Sequence, residues 1–149
     1  MIEKLAYNLD DALGFILHRT SLKYRCEMGR RFKEHDITTE QWAVLRRLRE
    51  KDGLTQKELA ERIVKDQPNL TRMLDKLQQK GLIRRMDNPN DRRAFFIHLT
   101  PEGDALLEKL TPLAIAVTNE ALRGFSSEET ALLKTLLNRV LQNLEQDIE

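Results

Sequence analysis

The chain has 149 residues, is 40% hydrophobic and carries a formal net charge of +1. That is the length of one ordinary domain with a sizeable core, and the total charge by itself implies no nucleic-acid partner. A single cysteine, Cys26, excludes an intrachain disulfide and suits a reducing compartment. Glu3, Lys4, Asn8, Asp10 and Asp11 interrupt Met1–Leu17, so neither a signal peptide nor a transmembrane run is expected, and the expected location is cytoplasmic.

From Ile2 to about Lys33, apolar residues recur at helical spacing: Ile2, Leu5, Ala6, Leu9, Leu13, Ile16 and Leu17. Gly14 marks either a kink or a close helix contact. Part of this stripe can pack on its own domain, but a terminal helix has little of its own chain to cover it. Much of the face is therefore expected to meet another subunit. A second helix is predicted from Thr38 or Thr39, with Gln41 completing a capping box. Trp42, Leu45 and Leu48 face inward, Gly53 ends the element, and Leu54 is placed as a short edge contact on a following sheet.

Thr55 is a good N-cap for a third helix, with Glu58 positioned to reach back and Leu59, Ala60 and Ile63 on one face. After a break at Val64–Lys65–Asp66, a fourth helix is predicted to start at Asp66, whose carboxylate can accept from unpaired amides. Pro68 is tolerated in its first turn. Leu70, Met73, Leu74 and Leu77 turn one stripe to a core. At about 100° per residue the opposite face carries Pro68, Arg72, Asp75 and Gln79, with Thr71 on one flank and Asn69 and Lys76 on the other. Gly81 closes the helix.

Leu82–Met86 and Ala94–Leu99 are strand-like, the second with period-two alternation. Asn88–Pro89–Asn90–Asp91 between them is turn chemistry, followed directly by Arg92 and Arg93. Thr100 then caps, and Pro101 occupies the first position of, a helix carrying Leu106, Leu107, Leu110, Leu113, Ala114 and Val117. Pro112 is expected to kink it and Gly124 to stop it. Ser126 with Glu129 is another capping box, opening a last helix with Leu132, Leu133, Leu136, Leu137, Val140, Leu141, Leu144 and Ile148. So many leucines exceed what one thin layer covers, and with the N-terminal helix they suggest a helical dimer interface.

Two helices joined by a tight turn, then a hairpin with a basic tip, make a winged helix–turn–helix. The fourth helix then enters a major groove, and the wing lies over the backbone or in a minor groove. The charge distribution agrees. Arg62 to Arg93 holds nine basic residues against four acidic ones, net +5, whereas Pro101 to Glu149 holds four against nine, net −5. A neutral total hides a basic reader and an acidic remainder.

The motif set resembles the MarR family of bacterial transcription regulators. It comprises Asp91-Arg92-Arg93 (the D-x-R wing), Leu99-Thr100-Pro101-Glu102-Gly103, Leu54-Thr55-Gln56 with Glu58-Leu59-Ala60, and Gly81-Leu82-Ile83. The resemblance covers nearly the whole chain. It implies a mainly α fold: a winged helix–turn–helix over residues 38–100 with a small β-hairpin wing, flanked by dimerisation helices at 1–35 and 101–149. It also implies a homodimer reading a pseudo-palindrome in double-stranded DNA, most often as a repressor.

The candidate DNA contacts are Gln67, Asn69, Thr71, Arg72 and Lys76 on the helix, and Asp91, Arg92 and Arg93 on the wing. In the family the equivalent Asp orients the second Arg for the minor groove. Against that stands the plainer reading of Arg92–Arg93 as a solvated loop. The family's usual switch is a small aromatic or anionic ligand between dimerisation and DNA-binding parts. His18, Arg19 and Trp42 are candidates to line such a site, Trp42 being equally readable as core.

Some members sense oxidants through a cysteine in the N-terminal helix. Here Cys26 lies on the same segment as Tyr7 and Tyr24, with Arg25 and Arg30 placed to lower its pKa, although a lone helical Cys is usually inert. His18, His35 and His98 are scattered without zinc-ligand spacing. No phosphate loop or nucleophile elbow is present, so neither metal, cofactor nor catalysis is expected. A winged-helix module that binds protein instead of DNA is the other class left open.

Overall fold

The computed structural model describes residues 7–63 and 67–146, with backbone alone for Gln67 and Pro68. Six helices and three strands follow in the order α1 (Leu13–Phe32), α2 (Thr39–Glu50), β1 (Leu54–Thr55), α3 (Gln56–Arg62), α4 (Gln67–Gln79), β2 (Ile83–Asp87), β3 (Phe95–Leu99), α5 (Pro101–Ala121) and α6 (Ser127–Glu145). The strands form an antiparallel sheet in the order β1-β3-β2. Leu54 pairs with Ile97, so the short edge contact foreseen for Leu54 is present.

Local chemistry sets most boundaries. Thr38 and Gln41 form the reciprocal capping box of α2, and Ser126 and Glu129 do the same for α6. At α3 the box is altered. Thr55 Oγ1 accepts from the Glu58 amide and donates to the Glu58 carboxylate, both at 3.2 Å, so Glu58 engages the hydroxyl. Thr100 caps α5 with Pro101 in its first turn, and the helix runs on through Pro112 to Ala121.

Gly81, at φ +75°, closes α4. Its amide donates to Gln78 O at 2.9 Å and that of Leu82 to Leu77 O at 3.0 Å, the paired bonds of a left-handed C-terminal cap. The N-terminal run is not one continuous helix. Asn8 caps a 3-10 turn at Leu9–Asp11, and α1 starts only after an extended Ala12. The strands begin one residue later than their sequence pattern indicated. Ile2, Leu5, Ala6, the Val64–Lys65–Asp66 break with its Asp66 cap, and Ile148 lie outside the described residues, as do the side chains of Gln67 and Pro68.

The core draws on every element through α5. Phe32, Val44, Leu45, Leu48, Leu54, Leu59, Leu70, Leu74, Leu77, Leu107 and Leu110 are fully enclosed. Because α5 supplies Leu107, Leu110, Ala114 and Val117 to that cluster, the reading head and α5 are one packed body. No residue of α6 is buried.

Ion pairs tie the helices at the rim. Arg49 holds Asp104 and Glu108 of α5, and Arg31 holds Glu27 and Glu120. Asp52 fastens the end of β3: its carboxylate accepts from Leu99 N at 2.8 Å and meets His98 Nδ1 at 2.9 Å. Partial burial opposes the charge on Asp52, but the Leu99 amide, His98 and the Gly53 amide outweigh it and hold the carboxyl below its ordinary range.

Candidate nucleic-acid interface

Helix α4 is amphipathic in the way its sequence demands. Leu70, Leu74 and Leu77 are fully buried, Met73 is half-buried, and Asn69, Thr71, Arg72 and Lys76 stand on the exposed side. Gln56, at the start of α3, donates from Nε2 to Thr71 Oγ1 at 2.6 Å, tying the first helix of the motif to the second.

The wing is a hairpin in which Ile83 pairs with Leu99, Arg85 with Ile97 and Asp87 with Phe95. Its tip is held by its own side chains. Asn88 Oδ1 accepts from the Asn90 amide, and Asp91 Oδ1 accepts from the Arg93 amide, both at 2.9 Å. Such Asx turns order a loop with no hydrophobic support. Asp91 thus positions Arg93 through the backbone, and its carboxylate is not spent on the guanidinium.

Arg25, Arg30, Arg31, Arg47, Arg49 and Arg85 are all paired with carboxylates. Among the described residues the side chains of Arg72, Lys76, Arg92 and Arg93 form no ion pair, and all four are exposed. Unpaired cations on an exposed helix face and a hairpin tip are the groups a phosphate backbone attracts.

The MarR family model matches residues 37–95, from just before α2 to the first residue of β3. Over 106 residues the chain is 35% identical to the transcriptional regulator HosA of Escherichia coli O111:H-, covering 71% of this chain and 78% of that protein. The chain belongs to the MarR family.

It is a MarR-type transcriptional regulator with the winged helix–turn–helix fold expected from its motifs. A cysteine-to-serine mutant of MarR from E. coli, solved in complex with operator DNA, superposes with a TM-score of 0.83 at 33% identity, over 91% of this chain and 98% of that one. The fold is shared further with Bordetella bronchiseptica BpsR, whose DNA binding is regulated by 6-hydroxynicotinic acid. There the TM-score is 0.85 at 23% identity, covering 95% of this chain and 99% of that one.

In this MarR-family chain the three residues suggested for an effector do not share one cavity. A cavity of about 550 Å³ lies between α1 and α5 and includes Arg19, Tyr24, Val117 and Glu120. His18 is exposed elsewhere on α1, and Trp42 packs on Phe32 with ring centroids 5.8 Å apart. The buried Trp42 Nε1 has no partner among the described residues. Neighbouring positions on a helix diverge by about 100°, so Arg19 reaching the groove turns His18 away.

Cys26 is exposed. The two arginines read as its activators are engaged elsewhere: Arg25 pairs with Glu40 and Arg30 with Glu27. The Arg30 hydrogen bond is the main reason the Glu27 carboxyl sits below its ordinary range. Tyr24 is hydrogen-bonded to Thr118. Among the described residues no group of three or more His, Cys, Asp or Glu is placed to hold a metal, and no helix is long and apolar enough to cross a membrane.

The residue that sequence reading missed is Arg85. It reaches Asp75 at 2.8 Å and Gln78 at 2.9 Å on α4, bridging the wing to the recognition helix. The alternation of β2 carried a signal, since Arg85 shares a face with the buried Ile83.

Proposed function

We propose that the protein is a homodimeric, ligand-responsive repressor that binds a pseudo-palindromic operator and works in the cytoplasm as a binding protein without catalytic activity. In this reading α4 enters the major groove with Gln67, Asn69, Thr71, Arg72 and Lys76. Asp91 presents Arg92 and Arg93 to the adjacent minor groove. Two copies place two such heads about one helical turn apart. The observation that carries the reading is the set of Arg72, Lys76, Arg92 and Arg93, all exposed on α4 and the wing and without an ion pair among the described residues. Residues 1–35 and 101–149 supply the dimer contacts, supported by the uncovered leucines of α6.

The test is a titration of selected duplex DNA in rising salt. Several neutralised phosphates per dimer make log K fall steeply with log salt. A slope near zero, or no binding, ends the DNA reading in favour of a protein-binding winged helix.

The switch is a small aromatic or anionic compound in the groove between α1 and α5, where Arg19 offers charge to a carboxylate. His18 and Trp42 belong to this site only if subunit pairing or ligand entry brings them to it. Occupancy favours a spacing of the heads that misfits the operator. Millimolar salicylate-like compounds are expected to weaken DNA binding and quench Trp42, and Cys26→Ser to leave DNA release unchanged. Peroxide-driven release that disappears in the serine variant would make the protein a redox sensor instead.

A further inference from the structure

Arg85 occupies an inward position of β2, opposite Ile97, whose side chain is buried. Its own side chain is only 20% exposed. Beyond it the hairpin leaves the core, for Met86, Asp87 and Phe95 are all exposed. Arg85 is thus the last anchor of the wing before its free-standing tip. One arm of its guanidinium meets Asp75 Oδ1 at 2.8 Å and the other meets Gln78 Oε1 at 2.9 Å. Those acceptors lie three positions apart on α4, one helical turn, so the planar fork spans a single turn of the recognition helix.

A leucine at this place could hold the sheet down, but it would not select which turn of α4 lies beneath. A fork with two fixed donors accepts only one such pair of acceptors. Asp75 also sits one turn beyond Arg72 on α4, which links the brace to the exposed stripe of the helix.

We propose that Arg85 is a positioning residue for DNA reading. Through Asp75 and Gln78 it fixes the wing, and with it Arg92 and Arg93, relative to Arg72 and Lys76 on α4. The two sets of contacts then meet DNA as one rigid template, and the ordering cost is met in the free protein and not on binding. This inference rests on the DNA-binding reading, and its test has one arm that does not.

The variants are Arg85→Lys, which keeps the charge and loses the fork, Asp75→Asn, and the two combined. In the first arm, NMR relaxation is measured on the DNA-free protein. Wild type is expected to show a restricted Arg85 side chain and an ordered Asn88–Arg93 tip. Asp75→Asn should release both and Arg85→Lys should release the tip, with the fold intact by thermal melting. Unchanged tip order in the variants overturns the brace whatever the DNA result.

In the second arm, the probes are a duplex recovered by wild-type protein from a random pool and an unselected duplex. Each single variant should lose about tenfold in affinity for the selected duplex and much less for the unselected one, and the double should be no worse than the weaker single. Asp75→Asn binding as wild type while Arg85→Lys fails would make Arg85 a direct phosphate contact and overturn the proposal. If Arg85→Lys does not fold, Asp75→Asn and Gln78→Leu carry both arms. Wild type that selects no duplex removes the DNA reading while the relaxation arm still decides the brace.

Discussion

Helices α4 and α6 are both amphipathic and both rich in leucine, yet their apolar stripes have opposite fates. Leu70, Leu74 and Leu77 of α4 have no exposed surface, whereas Leu132, Leu136, Leu137, Leu141 and Leu144 of α6 are all exposed, Leu144 at 78%. The difference is one of neighbours, not of helix quality, since α6 has the complete capping box. A stripe of that size left in water is costly at about 25 cal/mol per Å², and exposed apolar patches mark association surfaces. Ile115, Phe125, Leu13 and Ile16 are exposed as well. The reading head thus completes its core within one chain, and the proposed dimer is what would cover the stripe that α6 leaves exposed.

The sharpest way to break this contrast is a pair of leucines. Leu74→Ala opens a cavity under the recognition helix and should cost about 2–5 kcal/mol of stability at any protein concentration. Leu137→Ala should cost the isolated chain little and weaken the dimer, and Leu137→Glu should abolish it at micromolar concentration. Chemical denaturation across a concentration series with sedimentation separates the two. A wild-type protein that sediments as a monomer would remove the basis of the comparison.

Glycines sharpen it further. A Cβ on Gly103 would lie 2.3 Å from Leu82 O and 2.7 Å from Leu99 Cδ1, where α5 starts against the head. Gly103→Ala should therefore destabilise by about 1–3 kcal/mol through overpacking. At Gly29, on α1, a Cβ meets nothing within 4 Å, and Gly29→Ala should stabilise by roughly 0.5–1 kcal/mol through helix propensity. Melting temperatures that move the same way for both would contradict the packing described for α5. Among the described residues nothing lies within 4 Å of a Cβ built on Gly14 either.

The wing supplies the next difference, because in the proposed reading it acts on DNA and not on folding. Arg93→Ala should weaken operator binding by about 1–3 kcal/mol per wing, with the dimer and the melting temperature unchanged. Normal affinity in the folded variant would mean that the Arg93 side chain does not touch DNA.

What could be read from the sequence follows the range of the interactions. Thr38 with Gln41, Ser126 with Glu129, Thr100 before Pro101 and Gly81 after α4 act within four residues of chain, and each appears where its spacing put it. The wing and both strands were visible to within a residue through turn chemistry and alternation. The Arg85 brace was not, because a basic residue in a strand normally faces solvent and its partners lie on another element. That Arg19 alone of His18, Arg19 and Trp42 lines the groove between α1 and α5 was hidden for the same reason. Which of two adjacent helical residues enters a groove is decided by how α1 packs on α5.

The smallest expected effect concerns Asp52, at the joint where β3 runs into α5. Its carboxylate serves the Leu99 amide and the His98 ring from the loop before β1, so it fastens the base of the wing sheet to the end of α2. Its folded pKa lies below the ordinary value of 3.8. A depressed carboxyl pKa stabilises the fold above the unfolded value and loses that contribution as pH falls through the folded value. The acid limb of the stability curve, from about pH 4 downward, should therefore be shallower in Asp52→Ala than in wild type. At neutral pH the loss should be about 1 kcal/mol or less, because the group is half exposed and water screens it. Leu137→Ala should leave that limb unchanged at protein concentrations where both forms are dimeric. Equal acid sensitivity in Asp52→Ala and wild type would mean the joint is held by the apolar contacts of Leu54 and Ile97 alone.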